Sequence, residues 1–498
     1  MSLFRRLHLI LLVLGAGLFS GILASSTAYG RRAEDGVVRI HVSKKEVDKS
    51  SPWQFDAVMQ QEYLGVVLKD GFVLTTAYAV ADAAYIEVQQ FGASRRSEAK
   101  VAFVDYEVNL ALLRPAAGAL EGARPVQLGG DIATDDHVDI YKARDAYQLT
   151  RLPASLQEVG LYVAATSSYS LATYLLKVQQ TGLGWSEPVF RDGRLVALTT
   201  GQDANYVHAL PMSIIRHFLK DRHGVDYLGF PALGVELSPL VSPDQRQLLG
   251  ADKVAGGVRV ADVLVGGSFA GLLQVDDVLL AIDGVAVSDH GFYRHPKWGE
   301  VHLKYLVNQH YSGDKVTLKI IRHGTPLDVV GVLRRFDSNR FPVVTYQYDQ
   351  AVPHLIVGGF IFQELSIDYL EQWGTEWRQR APFDLLYTLQ FKDKPTGDPL
   401  RRVIFLTRVL ADKFNRGYGD FRHLIVDTVN DRKVTSMSTL KEALRHPLVR
   451  KGGSYARIVF LRGGGEAILA YDGLSAANKR IAATYEIRTP ASFFTWGG

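Results

Sequence analysis

The 498-residue chain has no cysteine. That excludes disulfides, thiolate nucleophiles, thiolate zinc sites and iron–sulfur clusters together. A chain without thiols also suits an oxidising compartment. No charge of one sign dominates: 56 Lys and Arg stand against 52 Asp and Glu, a net +4. The basic residues are scattered singly or in pairs, without the clustered stripe that nucleic acid requires, so no nucleic-acid partner is expected. Low-complexity segments are also missing. With 47% apolar and 22% charged residues the chain has the balance of a folded protein. Its length is that of about three domains rather than one core.

Long apolar runs are missing except at the start. Arg5 and Arg6 precede the run from His8 to Ala24, and Ala28 and Gly30 supply small residues before a cleavage point. Residues 1–30 read as an export signal, or, if retained, as a single membrane anchor. The remainder is expected outside the cytoplasm, in the periplasm or cell envelope.

From 33 to about 222 the chain reads as short strands separated by turns, such as Val37–His41, Tyr63–Leu68, Phe72–Thr75 and Tyr85–Gln89. This predicts an all-β unit closed by a helix over Met212–Leu219. Gly224, Gly229, Pro231 and Gly234 mark a linker. Two further regions, 225–336 and 352–475, mix strands with one clear helix each, over Val301–Gln309 and near Met437–Arg445. Their internal likeness points to tandem modules, joined by the polar and aromatic stretch Asp337–Ala351 and followed by a tail, 476–498. The stretch His290–Trp298 interleaves basic and aromatic groups. It reads as an inserted loop packed between units, with a partner-binding surface as the other reading.

Three segments carry a resemblance to HtrA/Deg proteases. Gly71-Phe-Val-Leu-Thr-Thr-Ala-Tyr-Ala-Val80 resembles the strand and turn presenting the catalytic histidine, whose position holds Tyr78. Asp105-Tyr-Glu-Val-Asn-Leu-Ala-Leu-Leu113 resembles the aspartate segment, whose position holds Asn109. Thr181–Val196 resembles the nucleophile loop and the strand pair after it. Aligned on Pro188-Val-Phe, the nucleophile falls on Trp185, and a one-residue slip places it on Ser186. The glycines that flank the family's serine are replaced by Ser186 and Glu187. The resemblance implies a mainly β fold, a trypsin-like double β-barrel followed by two α+β PDZ-like domains, nearest the plant-type Deg arrangement.

The chemistry of these positions argues against an intact triad. A serine needs a neighbouring base, whereas a tyrosine titrates near pH ~10 and is a poor acceptor at neutrality. Asparagine cannot stabilise an imidazolium, and that loss costs about 10⁴-fold in the worked serine-protease case. Trp185 has no nucleophile, and its bulk falls where backbone amides would cradle an oxyanion. The expectation is a non-catalytic homologue, with hydrolysis by Ser186 and an unconventional partner as the alternative. No cofactor or metal is expected.

The C-terminal half resembles the PDZ side of the family. Gly229-Phe-Pro-Ala-Leu-Gly-Val-Glu-Leu237 resembles a carboxylate-binding loop leading into a peptide-binding strand. Leu233, Gly234 and Val235 would cradle a terminal carboxylate, and an extended peptide would add along Val235, Glu236 and Leu237. Val301, Tyr305 and Asn308, at helical spacing, would form the other wall or pack the core. In the second unit the loop is Gly358-Gly-Phe-Ile-Phe362, with Phe360 and Phe362 as core. The expected partners are peptides or unfolded proteins, including C-terminal tails. The resemblance further implies trimers or larger assemblies, including mixed ones with an active relative.

Overall fold

The computed structural model describes residues 33–145, 148–164, 166–222 and 227–495. The segment read as a signal or anchor, 1–30, lies outside them. Among the described residues no helix is long and apolar enough to cross a membrane. The chain is mainly β, a trypsin-like double barrel followed by two α+β PDZ-like units.

The first barrel closes in the order Val37–Lys44, Met59–Val67, Val73–Thr75, Leu110–Pro115, Ser97–Asp105, Ala83–Gln90. Alternation along each strand divides its side chains between two environments. Val38, Ile40, Val42, Val73 and Leu113 fill the interior. Leu64, Val66, Leu74, Leu110 and Leu112 face the second barrel, where they meet Phe190, Leu198 and Leu210. The second sheet runs Pro188–Arg191, His137–Ala143, Leu149–Val163, Ser170–Lys177, Tyr206–Pro211, Arg194–Asp203, Gln127–Leu128, and Pro188–Arg191 also pairs with Arg194–Asp203. The closing helix spans Met212–Asp221 and buries Ile214, Ile215 and Phe218 between the barrels.

The next sheet has the order Val235–Ser238, Val258–Val263, Val278–Ile282, Lys315–Arg322, Thr325–Val332. Val235–Ser238 pairs on one side only, with Val258–Val263, and so leaves a free edge. The loop around His290–Trp298 forms a hairpin, Phe292–His295 with Gly299–His302. It packs on the second barrel, the packed-loop reading of the sequence: Tyr293 and Trp298 join that barrel's core cluster, and Trp298 Nε1 donates to Ile132 O at 2.6 Å.

The last sheet orders His354–Val357, Phe360–Glu364, Ile404–Val409, Leu424–Val429, Gly453–Phe460, Leu448–Arg450. Phe360 and Phe362 are fully buried in its core. The helix expected near Met437 spans Met437–Leu444. The region from 476, read as a tail, is helical as far as Thr484 and packs Ala477 and Ile481 against Ile356 and Ile361. This unit docks on the first barrel. Gln363 Nε2 donates to Lys49 O at 3.0 Å, and Asp82 and Asp349 each accept the other's backbone N–H at 2.9 Å. Tyr348 stacks on Tyr106 with centroids 4.5 Å apart.

Candidate functional site

The strand Val73–Thr75 ends at Thr76, whose extended backbone and side-chain oxygen cap a single helical turn, Ala77–Val80. That turn holds Tyr78 at the mouth of the cleft between the barrels. Asn109 sits just before the strand Leu110–Pro115 with φ +56°, a left-handed conformation that Asn tolerates. It is 1% exposed, and its Oδ1 accepts the Tyr78 backbone N–H at 2.8 Å. The turn into Pro188–Arg191 adds Trp185 and Ser186, with Ser186 at φ +76°. The fold therefore brings together the four positions that the sequence aligned.

Their contents are engaged with one another. The Tyr78 and Trp185 rings lie with centroids 4.7 Å apart, tilted by 31°. Lys44 Nζ donates to Tyr78 O at 2.6 Å and stands 4.7 Å from the centre of the Tyr78 ring. Burial lowers the Lys44 amine from its ordinary value. Burial, reinforced by Glu46, raises the Tyr78 hydroxyl above its ordinary value, so it stays protonated at neutral pH. Ser186 is fully buried, and its Oγ shares a hydrogen bond with Thr76 Oγ1 at 3.0 Å. The histidines have other neighbours. His41 contacts Gln89 at 2.8 Å, His208 lies against Tyr162, and His217 stacks on Phe230. His137 is exposed.

One residue in the loop acts in a way the sequence did not disclose. The buried Glu187 carboxylate accepts the backbone N–H groups of Gly184 and Trp185, both at 2.8 Å, and the Thr199 hydroxyl. Gln202 Oε1 accepts the Leu183 N–H at 2.8 Å. Three successive backbone donors of the loop, 183 to 185, are thus spent on the protein's own side chains. Thr199 Oγ1 in turn accepts the Glu187 N–H at 2.9 Å, which locks the carboxylate in place. An oxyanion cradle needs such donors free and aimed at the reacting oxygen. Here, for a nucleophile at 185, Gln202 holds the Leu183 donor and a built-in anion holds the Trp185 donor. The one signal available in the sequence was an acid in place of a flanking glycine.

The residues expected to capture a peptide divide into two sets. Leu233, Gly234, Val235, Glu236 and Leu237 run into the free edge strand, Val235–Ser238. Val235 and Leu237 are half-buried on the unit's core, and Glu236 is exposed. Gly234 has φ +72°, and a Cβ there would lie 2.3 Å from Gly267 Cα, so glycine is required for this close approach. Val301, Tyr305 and Asn308 go elsewhere. The helix spans only Lys304–Asn308, and Val301 belongs to the hairpin strand before it. Val301 and Tyr305 are buried in the second barrel's core cluster, Tyr305 Oη contacts Ser213 Oγ at 3.2 Å, and Asn308 Nδ2 donates to Tyr169 Oη at 2.9 Å. This face is covered by the barrel, not turned to a peptide groove. In the second unit Phe360–Glu364 is paired on both sides, by His354–Val357 and Ile404–Val409, which leaves no edge for strand addition.

Among the described residues no cluster of three or more His, Asp or Glu is placed to hold a metal.

The family model for the PDZ domain matches residues 343–493. Protease Do-like 2, chloroplastic, from Arabidopsis thaliana is 27% identical over 78% of this chain and 64% of its own length. Putative protease Do-like 3, mitochondrial, from the same plant is 23% identical over 82% of this chain and 71% of its own. The chain thus spans somewhat under two thirds of the first of these relatives. A solved structure, HtrA-type protease AlgW with decapeptide, is 19% identical over 61% of this chain and 98% of that one, with a TM-score of 0.46.

Proposed function

This chain belongs to the HtrA/Deg family, and we propose that it is a non-catalytic member that holds peptides or unfolded polypeptides instead of cutting them. The observation that carries the reading is the Glu187 carboxylate seated on the Gly184 and Trp185 amides. A tetrahedral oxyanion brought to those amides would meet a fixed negative charge in place of free donors. Tyr78, Asn109 and Trp185 compound the loss, since none supplies a base, an orienting charge or a nucleophile.

The holding function falls to the first PDZ-like unit. Its Leu233–Val235 turn and the free edge of Val235–Ser238 suit an extended peptide with a terminal carboxylate. The second unit, with its corresponding strand covered on both sides, serves docking within the chain or assembly. Export to the cell envelope and a scaffold, chaperone or regulatory role beside an active relative complete the proposal.

The test uses purified full chain. Casein should remain uncut, a fluorophosphonate probe should not label the protein, and a fluorescent decapeptide with a free apolar C-terminus should bind better than its amide. Covalent labelling at Ser186 would overturn the proposal in favour of a rewired serine endopeptidase.

A further inference from the structure

Away from the barrel cleft, a carboxylate without a hydrogen bond lines an enclosed space. The stretch that joins the two PDZ-like units lies against the end of the strand Phe360–Glu364, with Val344 bridged to Ser366. Between them is a cavity of about 220 Å³. Phe341, Val344 and Tyr346 give it an apolar side, and Gln347, Glu364 and Arg402 give it a polar one. None of these belongs to the degenerate site or to the free edge of the first PDZ-like unit.

The polar side is incompletely paired. Gln347 is 9% exposed, yet only its backbone is engaged, its N–H donating to Asp368 Oδ2 at 2.9 Å. Its side-chain amide has no hydrogen-bond partner among the described residues. The Glu364 side chain is 15% exposed, and Arg402 Nε stands 3.6 Å from its Oε2, outside bonding distance. Arg402 Nη1 donates instead to the carbonyls of Asn339, Pro399 and Arg401, at 3.0, 2.9 and 2.7 Å. The Gln347 amide and the Glu364 carboxylate both keep surface open to the cavity they line. Tyr346 is fixed from behind: its Oη donates to Glu371 Oε1 at 2.9 Å and its ring stacks on Tyr348.

The charge here is incompletely balanced. Burial raises the Glu364 carboxyl above its ordinary value, and Arg402 offsets only part of that. Burial also raises Glu371, with Asp368 adding to it, and the Tyr346 bond, Arg378 and Lys49 offset only part. An anionic ligand would meet Glu364. An ammonium has three donors and no acceptor, the complement of an unbonded carboxylate, and its bonds to one are charge-assisted. Aromatic rings beside it favour a cation further. We propose that this cavity binds a primary alkylammonium, its charge on the Glu364 carboxylate and its stem against Phe341, Val344 and Tyr346. The volume lies below the ~300 Å³ at which drug-sized sites begin, and so suits a short alkyl chain. The group arrives either on a free amine or as a lysine side chain of a polypeptide.

The experiment titrates full chain with butylammonium, butanol, butyrate and acetyl-lysine methylamide, by saturation-transfer NMR and calorimetry. Butylammonium should bind, and butanol, which keeps the stem and lacks the charge, should bind at least about tenfold more weakly. Glu364→Gln keeps the shape and removes the charge, and should weaken butylammonium by about tenfold or more. Val344→Phe fills the cavity and leaves the carboxylate in place, and provides the same reading should the Glu364 variant fail to fold. Stronger binding of the lysine derivative assigns the site to a polypeptide side chain, and stronger binding of butylammonium assigns it to a free amine. No binding of either amine by about 10 mM, butanol or butyrate binding as tightly as butylammonium, or equal binding by wild type and both variants, overturns the proposal.

Discussion

Replacing Glu187 by alanine isolates the contact on which the functional reading rests. The variant leaves the amides of Gly184 and Trp185 and the Thr199 hydroxyl without their carboxylate. Hydrogen bonds to a charged acceptor contribute about 1.5–3 kcal/mol each, and a buried donor left unpaired costs a similar amount. Trp185 is 44% exposed, so water reaches the rim of the loop and recovers part of that loss. The net destabilisation should be about 3 kcal/mol. In a double barrel of this size it lowers the melting temperature by about 6–12 °C, at about 2–4 °C per kcal/mol. Glu187→Gln retains one acceptor oxygen and should lose about half as much. Tryptophan fluorescence during thermal unfolding reads the shift, and casein digestion runs beside it. Freeing the amides restores donors but no base, so casein should stay uncut. Unchanged melting of Glu187→Ala would refute the hydrogen-bonded carboxylate. New cleavage would refute the claim that Tyr78 cannot serve as a base.

Trp298→Ala removes a core residue of the second barrel and its bond to Ile132 O. It should cost about 3–5 kcal/mol and release the Phe292–His302 hairpin to limited proteolysis before the barrels unfold. Gly234→Ala puts a methyl 2.3 Å from Gly267 Cα at positive φ, and should cut affinity for a free-carboxyl decapeptide by about tenfold or more in fluorescence anisotropy. Asp393 is pushed up to about 6 by burial, against the backbone N–H of Val343 that it accepts. A carboxyl raised in the folded state contributes full stability below its unfolded value near 4 and loses it as pH rises through about 6. Asp393→Asn should therefore match wild type in urea unfolding at pH ~4 and exceed it by about 1–2 kcal/mol at pH ~8, the shift being discounted for partial exposure.

The sequence carried the site unevenly, and the reasons are physical. Tyr78, Asn109 and Trp185, singled out in the sequence, lie together in the fold because each follows or precedes a short apolar strand whose register fixes its direction. Glu187 was noticed only as a missing glycine. Its reach back to the Gly184 and Trp185 amides depends on the left-handed turn at Ser186, which no periodicity encodes. Helical spacing put Tyr305 and Asn308 on one face, yet spacing alone does not say whether a barrel or a peptide covers that face. The hairpin carrying Trp298 decides it, by tying this unit to Ile132. In the second unit the Gly358–Phe362 loop was legible, while the extra strand His354–Val357 that covers its edge was not.

The polarity of the site leads to the final prediction. An active serine protease keeps negative charge behind its base and an empty ring of donors before its nucleophile. This chain has the reverse arrangement: an uncharged Asn109 behind Tyr78, and a carboxylate inside the donor ring at Glu187. Restoring the three triad positions alone, with Tyr78→His, Asn109→Asp and Trp185→Ser, should therefore leave casein uncut. With the nucleophile at 185 the cradle is made by the amides of residues 183 and 185; Gln202 still holds the first and the Glu187 carboxylate the second, and the carboxylate repels a developing oxyanion. Losing one oxyanion donor costs about 10²–10³ in turnover, so two occupied donors should suppress it by about 10⁴ or more. Adding Glu187→Gly to the triple variant returns the amide of residue 185 and removes the repelling charge, and should bring measurable fluorophosphonate labelling at position 185. Labelling of the triple variant equal to that of the quadruple variant would show that the carboxylate does not guard the cradle.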